Sequence, residues 1–382
     1  MVQLCDYGSP YPGSFVPGLE AIRDAVEARG WSFEAVFPPE AEGRDWYRAL
    51  ERQGTHVRVC PPLGRRARNR WLATMVAERS GPAILHSHFA LWDLSAVMAA
   101  RRLRKRDPVA VVWHRHGALS RKPWLLARDV VRYGAVGRAV DAHLCVGPGG
   151  RAQVLARGAP PRRTLLFPNA INLAGFSEAS AEERAQARSN LGIAQDRRVL
   201  LSFVWEWERK GGPLLLGAVR ELARRGCGVL ALTVAGGDRA RVAASRMGVD
   251  RYTRDLAQMA DPRSLFAAAD VFVAPSRAEG LAFSPLEAIC AGTPVVASDI
   301  PGHHHFGVHL PAMRLTQLDA HAIADSIQAE LAEARDRPLR IATSRRYLER
   351  NASFDAWVER LLHVYDEVLV RRGANGVRPA SG

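Results

Sequence analysis

Pro275-Ser276-Arg277-Ala278-Glu279-Gly280-Leu281-Ala282-Phe283-Ser284-Pro285-Leu286-Glu287, continuing through Ala-Ile-Cys-Ala to Gly292-Thr293-Pro294 and Val295–Asp299, reads as loop, helix, turn and strand. The apolar run Val271–Ala274 before it reads as a buried strand, so Glu279 and Gly280 are predicted at the strand's C-terminal end, where open α/β sheets bind ligands. Gly280 has no Cβ, which lets backbone N–H groups come close to a bound molecule. Pro285 suits the first turn of a helix, whose free N–H groups and positive dipole end then face the loop. Such an end holds an anion such as phosphate, and Gly280, Leu281, Ala282, Phe283 and Ser284 are the residues expected to hold it. Glu287 is expected in the first turn beside them. Gly292-Thr293-Pro294 closes the helix before the next strand.

Outward from this segment, short β-rich apolar runs alternate with longer stretches of helical period, the pattern of parallel βαβ units. Strands are predicted at Val2–Cys5, Phe33–Phe37, His56–Cys60, Ala83–His86, Ala110–Trp113, His143–Val146 and Leu165–Phe167. Leu19, Ile22 and Val26 mark the buried face of a helix after the first. A polar stretch at Ser177–Asn190 interrupts the pattern, which restarts with Val199–Phe203, Val229–Ala235, Val271–Ala274 and Val295–Ala297. Two Rossmann-like doubly wound domains are expected, over 1–178 and 190–350. Trp357, Leu361, Val364 and Val368 define a last amphipathic helix at 354–372, and 373–382 reads as a fraying tail.

The 382 residues exceed what one core commonly serves, and 47% apolar with 24% charged residues is a globular composition. A formal charge of +14 draws attention to anionic partners. Much of the excess lies in Arg65, Arg66, Arg68 and Arg70 and in Arg101, Arg102, Arg104, Lys105 and Arg106, either a solvated basic face or a surface for an anionic acceptor or membrane. No zinc-finger spacing or aromatic–basic RNA motif accompanies the charge, so nucleic acid is not expected as a partner. Cys5, Cys60, Cys145, Cys227 and Cys290 are widely spaced in mostly apolar surroundings, which suits buried free thiols rather than disulfides or a metal site. Without a leader or a run of about 18 apolar residues, the chain is expected to be cytoplasmic, or peripheral at the inner membrane face.

Pro-Ser followed by Glu279 and Glu287 in a Glu-x7-Glu pair resembles the hallmark of glycosyltransferase family 4. The resemblance extends to Val112-Trp-His-Arg-His116-Gly117, Asp141–Gly147, the turn at Leu166-Phe-Pro-Asn169-Ala170-Ile-Asn172, and the helix around Trp357 and Tyr365. It implies a GT-B fold, with two facing Rossmann-like domains and a C-terminal helix that crosses back to the first. It further implies that the N-terminal domain binds an acceptor and the C-terminal domain a nucleotide-diphosphate sugar. Glu279 would approach the donor sugar, Glu287 the ribose hydroxyls, and His116 the donor sugar and its phosphate. Lys210-Gly211 matches the family's Lys-Gly, but Phe203-Val204 stands where Gly-Arg is usual. Arg209 is either the replacement for that arginine or an exposed loop residue. The family's Gly-Gly turn is replaced by Asp6–Phe15, in which Gly13 and Ser14 are expected to offer N–H groups to the β-phosphate, with prolines and tyrosines as an acceptor wall. Gly302-His303-His304-His305 stands where Gly-x-x-Glu is usual. Three consecutive histidines on a strand cannot converge on one metal, so a polar loop or acceptor contact is expected there.

In the reaction implied by the resemblance, a sugar passes with retention of configuration to an acceptor hydroxyl, and the leaving β-phosphate takes the proton. Two flanking carboxylates, as glycosidases use, are not required. His116, Glu279 and Lys210 are the expected catalytic residues. Lys210, Arg209 and the helix end near Ser284 would stabilise the diphosphate. No cofactor or metal is expected, in line with the lack of an Asp-x-Asp motif. The acceptor is open among a small aglycone, a lipid-linked saccharide and a polysaccharide. The alternatives are an inactive regulatory family member and a basic nucleic-acid-binding protein.

Overall fold

All four residues of β1 (Val2–Cys5) are buried on both faces, as expected for the middle of a parallel sheet covered by helices. The computed structural model describes residues 1–374 other than 11, 118, 120–122 and 260. Tyr11 and the tail from 375 onward therefore lie outside the described residues. The chain divides into two units, Met1–Ala170 with the segment beginning at Phe354, and Ile171–Ser353.

The first unit contains β1, β2 (Glu34–Phe37), β3 (Val57–Val59), β4 (Ala83–His88), β5 (Val109–Arg115), β6 (Ala142–Cys145) and β7 (Thr164–Leu166). They form one parallel sheet in the order β3-β2-β1-β4-β5-β6-β7. The helix Phe15–Glu27 buries Leu19, Ile22 and Val26 on one face, and they share a core with Phe37, Trp46 and Tyr47. The helix Phe354–Arg371 packs into that same core through Trp357, Leu361, Val364 and Val368. Its Tyr365 hydroxyl accepts from Gln3 Nε2 of β1 at 3.2 Å. A separate core on the other face gathers Leu72, Trp92, Val97, Val111 and Trp113.

The second unit contains β8 (Arg198–Phe203), β9 (Val229–Val234), β10 (Thr253–Leu256), β11 (Val271–Ala274), β12 (Val295–Ser298) and β13 (Met313–Thr316). Its parallel order is β10-β9-β8-β11-β12-β13. The sequence pattern misses both edge strands. Thr253–Leu256 and Met313–Thr316 carry only one and two apolar residues and are only partly buried, so the signal of a buried strand is weak there. The stretch read as an interruption is a helix, Ala181–Asn190, begun by a capping box of Ser180 and Glu183. Arg188 anchors it: fully buried, its guanidinium donates to the carbonyls of Ala268, Gln195 and Arg197 and to Asp270 Oδ2.

In both sheets the order reverses beside the first strand of the unit, at β1–β4 and at β8–β11. The crevice beyond the strand ends at such a point is where doubly wound sheets bind ligands. No helix among the described residues is long and apolar enough to cross a membrane.

Candidate active site

At the β8–β11 switch point the loop Val204–Gly211 meets the loop after β11. Two glycines make the approach possible. Gly211 has φ +74°, and a Cβ there would overlap the carbonyl oxygen of Pro275. A Cβ on Gly302 would come to 2.7 Å from the Cβ and carbonyl oxygen of Glu279. Between them sits Glu279, its side chain 8% exposed, with Oε1 at 2.8 Å from Lys210 Nζ and Oε2 at 2.9 Å from Arg209 Nη1. Burial pushes the Glu279 carboxyl up, but Lys210, Arg209 and a hydrogen bond from Ser276 outweigh it and hold it below its ordinary range. Lys210 is itself 9% exposed. Burial lowers its ammonium more than Glu279 raises it, and its Nζ lies 4.1 Å from the Trp205 ring centroid.

Arg209 is a member of this cluster and not a free loop arginine. It binds Glu206 at 2.5 Å and donates to the Ala278 carbonyl at 2.9 Å. Hydrogen bonding to Glu206 is the main reason its pKa is raised. Val204 is completely buried among Leu200, Trp207 and Leu215, so the place where a charged residue was missed belongs to the apolar core.

The helix expected after Gly280 runs Phe283–Cys290, with Ala282 as N-cap and Pro285 buried in its first turn. Ala282, Phe283 and Ser284 stand at that N-terminus, preceded by Gly280 and Leu281. Glu287 falls in the second turn and not the first: the helix starts two residues before Pro285, because proline fits any position whose N–H has no partner within the helix.

The three histidines lie on a helix, Pro301–Gly307, and not in a loop; Pro301 at its start favours helix directly after β12. His303 is buried with Nδ1 at 2.9 Å from the Ser298 carbonyl, whereas His304 pairs with Asp299 at the surface. Helical spacing thus sends consecutive histidines to different surroundings.

The β1–β4 switch point of the first unit is aromatic and imidazole-rich. Gly13 has φ +52° and turns the chain into the helix Phe15–Glu27, for which the buried Ser14 is the N-cap residue. Phe15 meets His116 edge-on at 5.8 Å and His88 at 5.1 Å. His116, just beyond β5, is half-buried with Nε2 at 3.0 Å from His88 Nδ1, and Asn169 supplies a further hydrogen bond. Burial, then the neighbouring Arg115, pushes His116 down to about 3. His88 Nε2 lies 2.8 Å from Gln3 Oε1, and His86 Nδ1 lies 2.6 Å from the Tyr365 hydroxyl.

One ring nitrogen from each of His86, His88 and His114 falls within 4.8 Å of the others, near enough to hold a metal ion. His86 and His114 stack at an interplanar angle of 8°, whereas His88 is tilted by 33° to His86 and by 37° to His114. Burial is the first cause of the lowered pKa in all three.

His116, Gly13 and Ser14 thus belong to the first unit, and Glu279, Lys210, Arg209 and Glu287 to the second. Sequence reasoning missed Trp205, Glu206 and Ser276, and in the first unit Gln3, His88 and Phe89. Phe89 has φ +68°, which no residue-type pattern announces. Gln3, His86 and His88 carried a legible signal: polar residues inside apolar strands, the two histidines on one face by their spacing of two. Of the five cysteines, Cys227 is half-buried and the others fully buried, all as free thiols.

Residues 198–333 match the family model described as glycosyl transferases group 1, and residues 17–170 match the glycosyl transferase 4-like domain. The chain is 28% identical over 303 residues to a D-inositol 3-phosphate glycosyltransferase of Geodermatophilus obscurus, covering 72% of this chain and 62% of that protein. It is 29% identical over 150 residues to the lipopolysaccharide glucosyltransferase WaaG of Escherichia coli, covering 38% of this chain and 40% of that protein. The matches thus span less than two thirds of these curated relatives. A glycosyltransferase from Rickettsia africae superposes with a TM-score of 0.81 at 13% identity, over 96% of this chain and 98% of that one. HepE of Anabaena, solved with UDP and glucose, gives 0.79 at 17% identity over 95% and 98%. At such identities the superpositions show the fold.

Proposed function

Because this chain belongs to the group 1 glycosyl transferases, we propose that it moves a sugar from a nucleotide-diphosphate donor to an acceptor hydroxyl, with retention of configuration and without a metal. The observation that carries this reading is Glu279, buried and ionised between Lys210 and Arg209 at the β8–β11 switch point. In this reading the carboxylate that pairs with the two cations accepts hydrogen bonds from sugar hydroxyls, and Lys210 and Arg209 bind the diphosphate. The N-terminus of Phe283–Cys290 adds N–H groups and a partial positive charge. Together these groups supply the charge stabilisation that a divalent cation would otherwise provide as the diphosphate leaves. HepE, bound to UDP and glucose, supports the donor class. Glu287 is assigned to the ribose, and His116 with Gly13 and Ser14 to the sugar and β-phosphate.

The test is turnover of a nucleotide-sugar panel in the presence of EDTA, with the product anomer read by NMR. An α-linked donor is expected to give an α-linked product at an unchanged rate. An inverted anomer, or activity restored only by added metal, would overturn the mechanism.

A further inference from the structure

A cavity of about 480 Å³ opens in the first unit beyond the C-terminal ends of β1, β2 and β3, between the loop after β1 and the helix Arg65–Ala77. Resting on the sugar-transfer reading above, we propose that this cavity is the acceptor subsite and that it takes a small uncharged polyhydroxylated ring, a sugar or cyclitol, in preference to a phosphorylated or cationic one.

Asp6 and Glu40 line the cavity together with Arg44 and Arg68, and among the described residues none of the four is held in an ion pair. Asp6 accepts the backbone N–H of Leu91. Arg44 spends its Nε on the Gly8 carbonyl at 3.0 Å, and Arg68 its Nε on Ser95 Oγ at 3.3 Å. Each guanidinium carries five N–H donors and each carboxylate about four acceptor sites, so most of this capacity is uncommitted. A phosphate seated here would face two carboxylates, and an ammonium two guanidiniums. A hydroxyl both donates and accepts, so a ring bearing several of them suits all four groups without repulsion.

The rest of the wall agrees. Pro38, Pro61 and Leu63 present C–H surface to a ring face. Trp92, fully buried, closes the wall behind Arg68, whose guanidinium carbon lies 5.5 Å from its ring centroid. The volume lies in the range of small-molecule sites, roughly 300–1,000 Å³.

The chain's formal charge of +14 by itself favours an anionic acceptor. That field is screened over about 8–10 Å in physiological salt, whereas selectivity in the cavity depends on groups in contact with the ligand.

The experiment is equilibrium binding by ligand-observed NMR on the full chain without donor, using methyl α-glucoside, glucose 6-phosphate and glucosamine as neutral, anionic and cationic probes. The neutral probe is expected to bind tightest. Asp6→Asn and Arg68→Gln are each expected to weaken it about tenfold or more while UDP affinity stays unchanged. Tighter binding of either charged probe, or binding of the neutral probe that neither substitution alters, overturns the proposal. If the neutral probe binds as expected but UDP binding and turnover are absent, the transfer reading fails and with it the acceptor role, and the cavity is left as a binding site for a neutral polyhydroxylated ring.

Discussion

Glu279 stays ionised in a buried position because two cations within 3 Å outweigh its desolvation. Replacing it by glutamine removes the charge but keeps the shape, and leaves Lys210 in a site that already disfavours its ammonium. Glu279→Gln is therefore expected to lower kcat by about 100-fold or more, the scale of losing one preorganised polar group in a water-poor site. Circular dichroism is expected to stay near wild type while Tm falls, because the buried Lys210 loses its ionic partner; turnover within a few-fold of wild type would remove Glu279 from the mechanism. Lys210→Ala is expected to weaken UDP binding more than sugar discrimination, read as a rise in the UDP dissociation constant of about 10- to 150-fold. Since Glu279 is held below its ordinary range, the acid limb of the pH–rate profile should contain no Glu279 titration near the usual carboxylate value of about 4.3. A limb there that disappears in Glu279→Gln would contradict this placement. Glu279 was legible in the sequence because its spacing to Glu287 and its position after a strand are local features. The partners Trp205 and Glu206 were not, because they reach Glu279 only when β8 pairs with β11, whereas the Ser276 contact is local and only its hydrogen bond needed the structure.

At the scale of elements, two loops and a helix are held by close backbone approach. Gly302→Ala introduces a Cβ at 2.7 Å from the Glu279 backbone, which must move the Glu279 loop or the helix Pro301–Gly307. Displacements of about 1 Å in catalytic groups cost up to about 100-fold, so this variant is expected to lose at least tenfold in kcat with its fold retained. Full activity in Gly302→Ala would show that the contact does not place Glu279. The helix Ala181–Asn190 makes a different kind of contact. Arg188→Ala would leave the buried Asp270 with Arg184 as its one ion pair among the described residues, and breaking a buried pair costs about 3–5 kcal/mol. Retention of the Arg184 pair and the Val199 N–H bond puts the expected loss near the lower end, checked by urea unfolding. The sequence read this segment as an interruption because its residues are polar. Its capping box was visible all the same, and only the fold shows that Arg188 turns inward.

At the scale of the molecule, the first unit carries several histidines with lowered pKa values, the buried His86, His88, His114 and His143 and the half-buried His116, with desolvation the first cause in each. A histidine whose folded pKa lies below its unfolded value of about 6.5 contributes full stability above that pH and loses it as pH falls toward the folded value. For His143, lowered to about 4, the loss between pH 6.5 and 4 amounts to about 3 kcal/mol. Acid unfolding of the chain is therefore expected to begin below pH 6.5 and to steepen with each further histidine, and His143→Gln should flatten the stability curve in that window. A Tm independent of pH between 6.5 and 4.5 would contradict the lowered pKa of these histidines. This acid lability could not be read from residue order, since a histidine's pKa depends on what surrounds it in space. By itself the sequence determined the two Rossmann-like units, most of their strands and the Glu279 loop, because hydrophobic period, turn residues and helix starts are encoded locally. Only the tertiary structure decided the edge strands, the inward turn of Arg188, the burial of Val204, the imidazole stack and the charge-balanced cavity at Asp6. Each of these depends on residues far apart in the chain, and their energies exist only once packing has brought them together and excluded water.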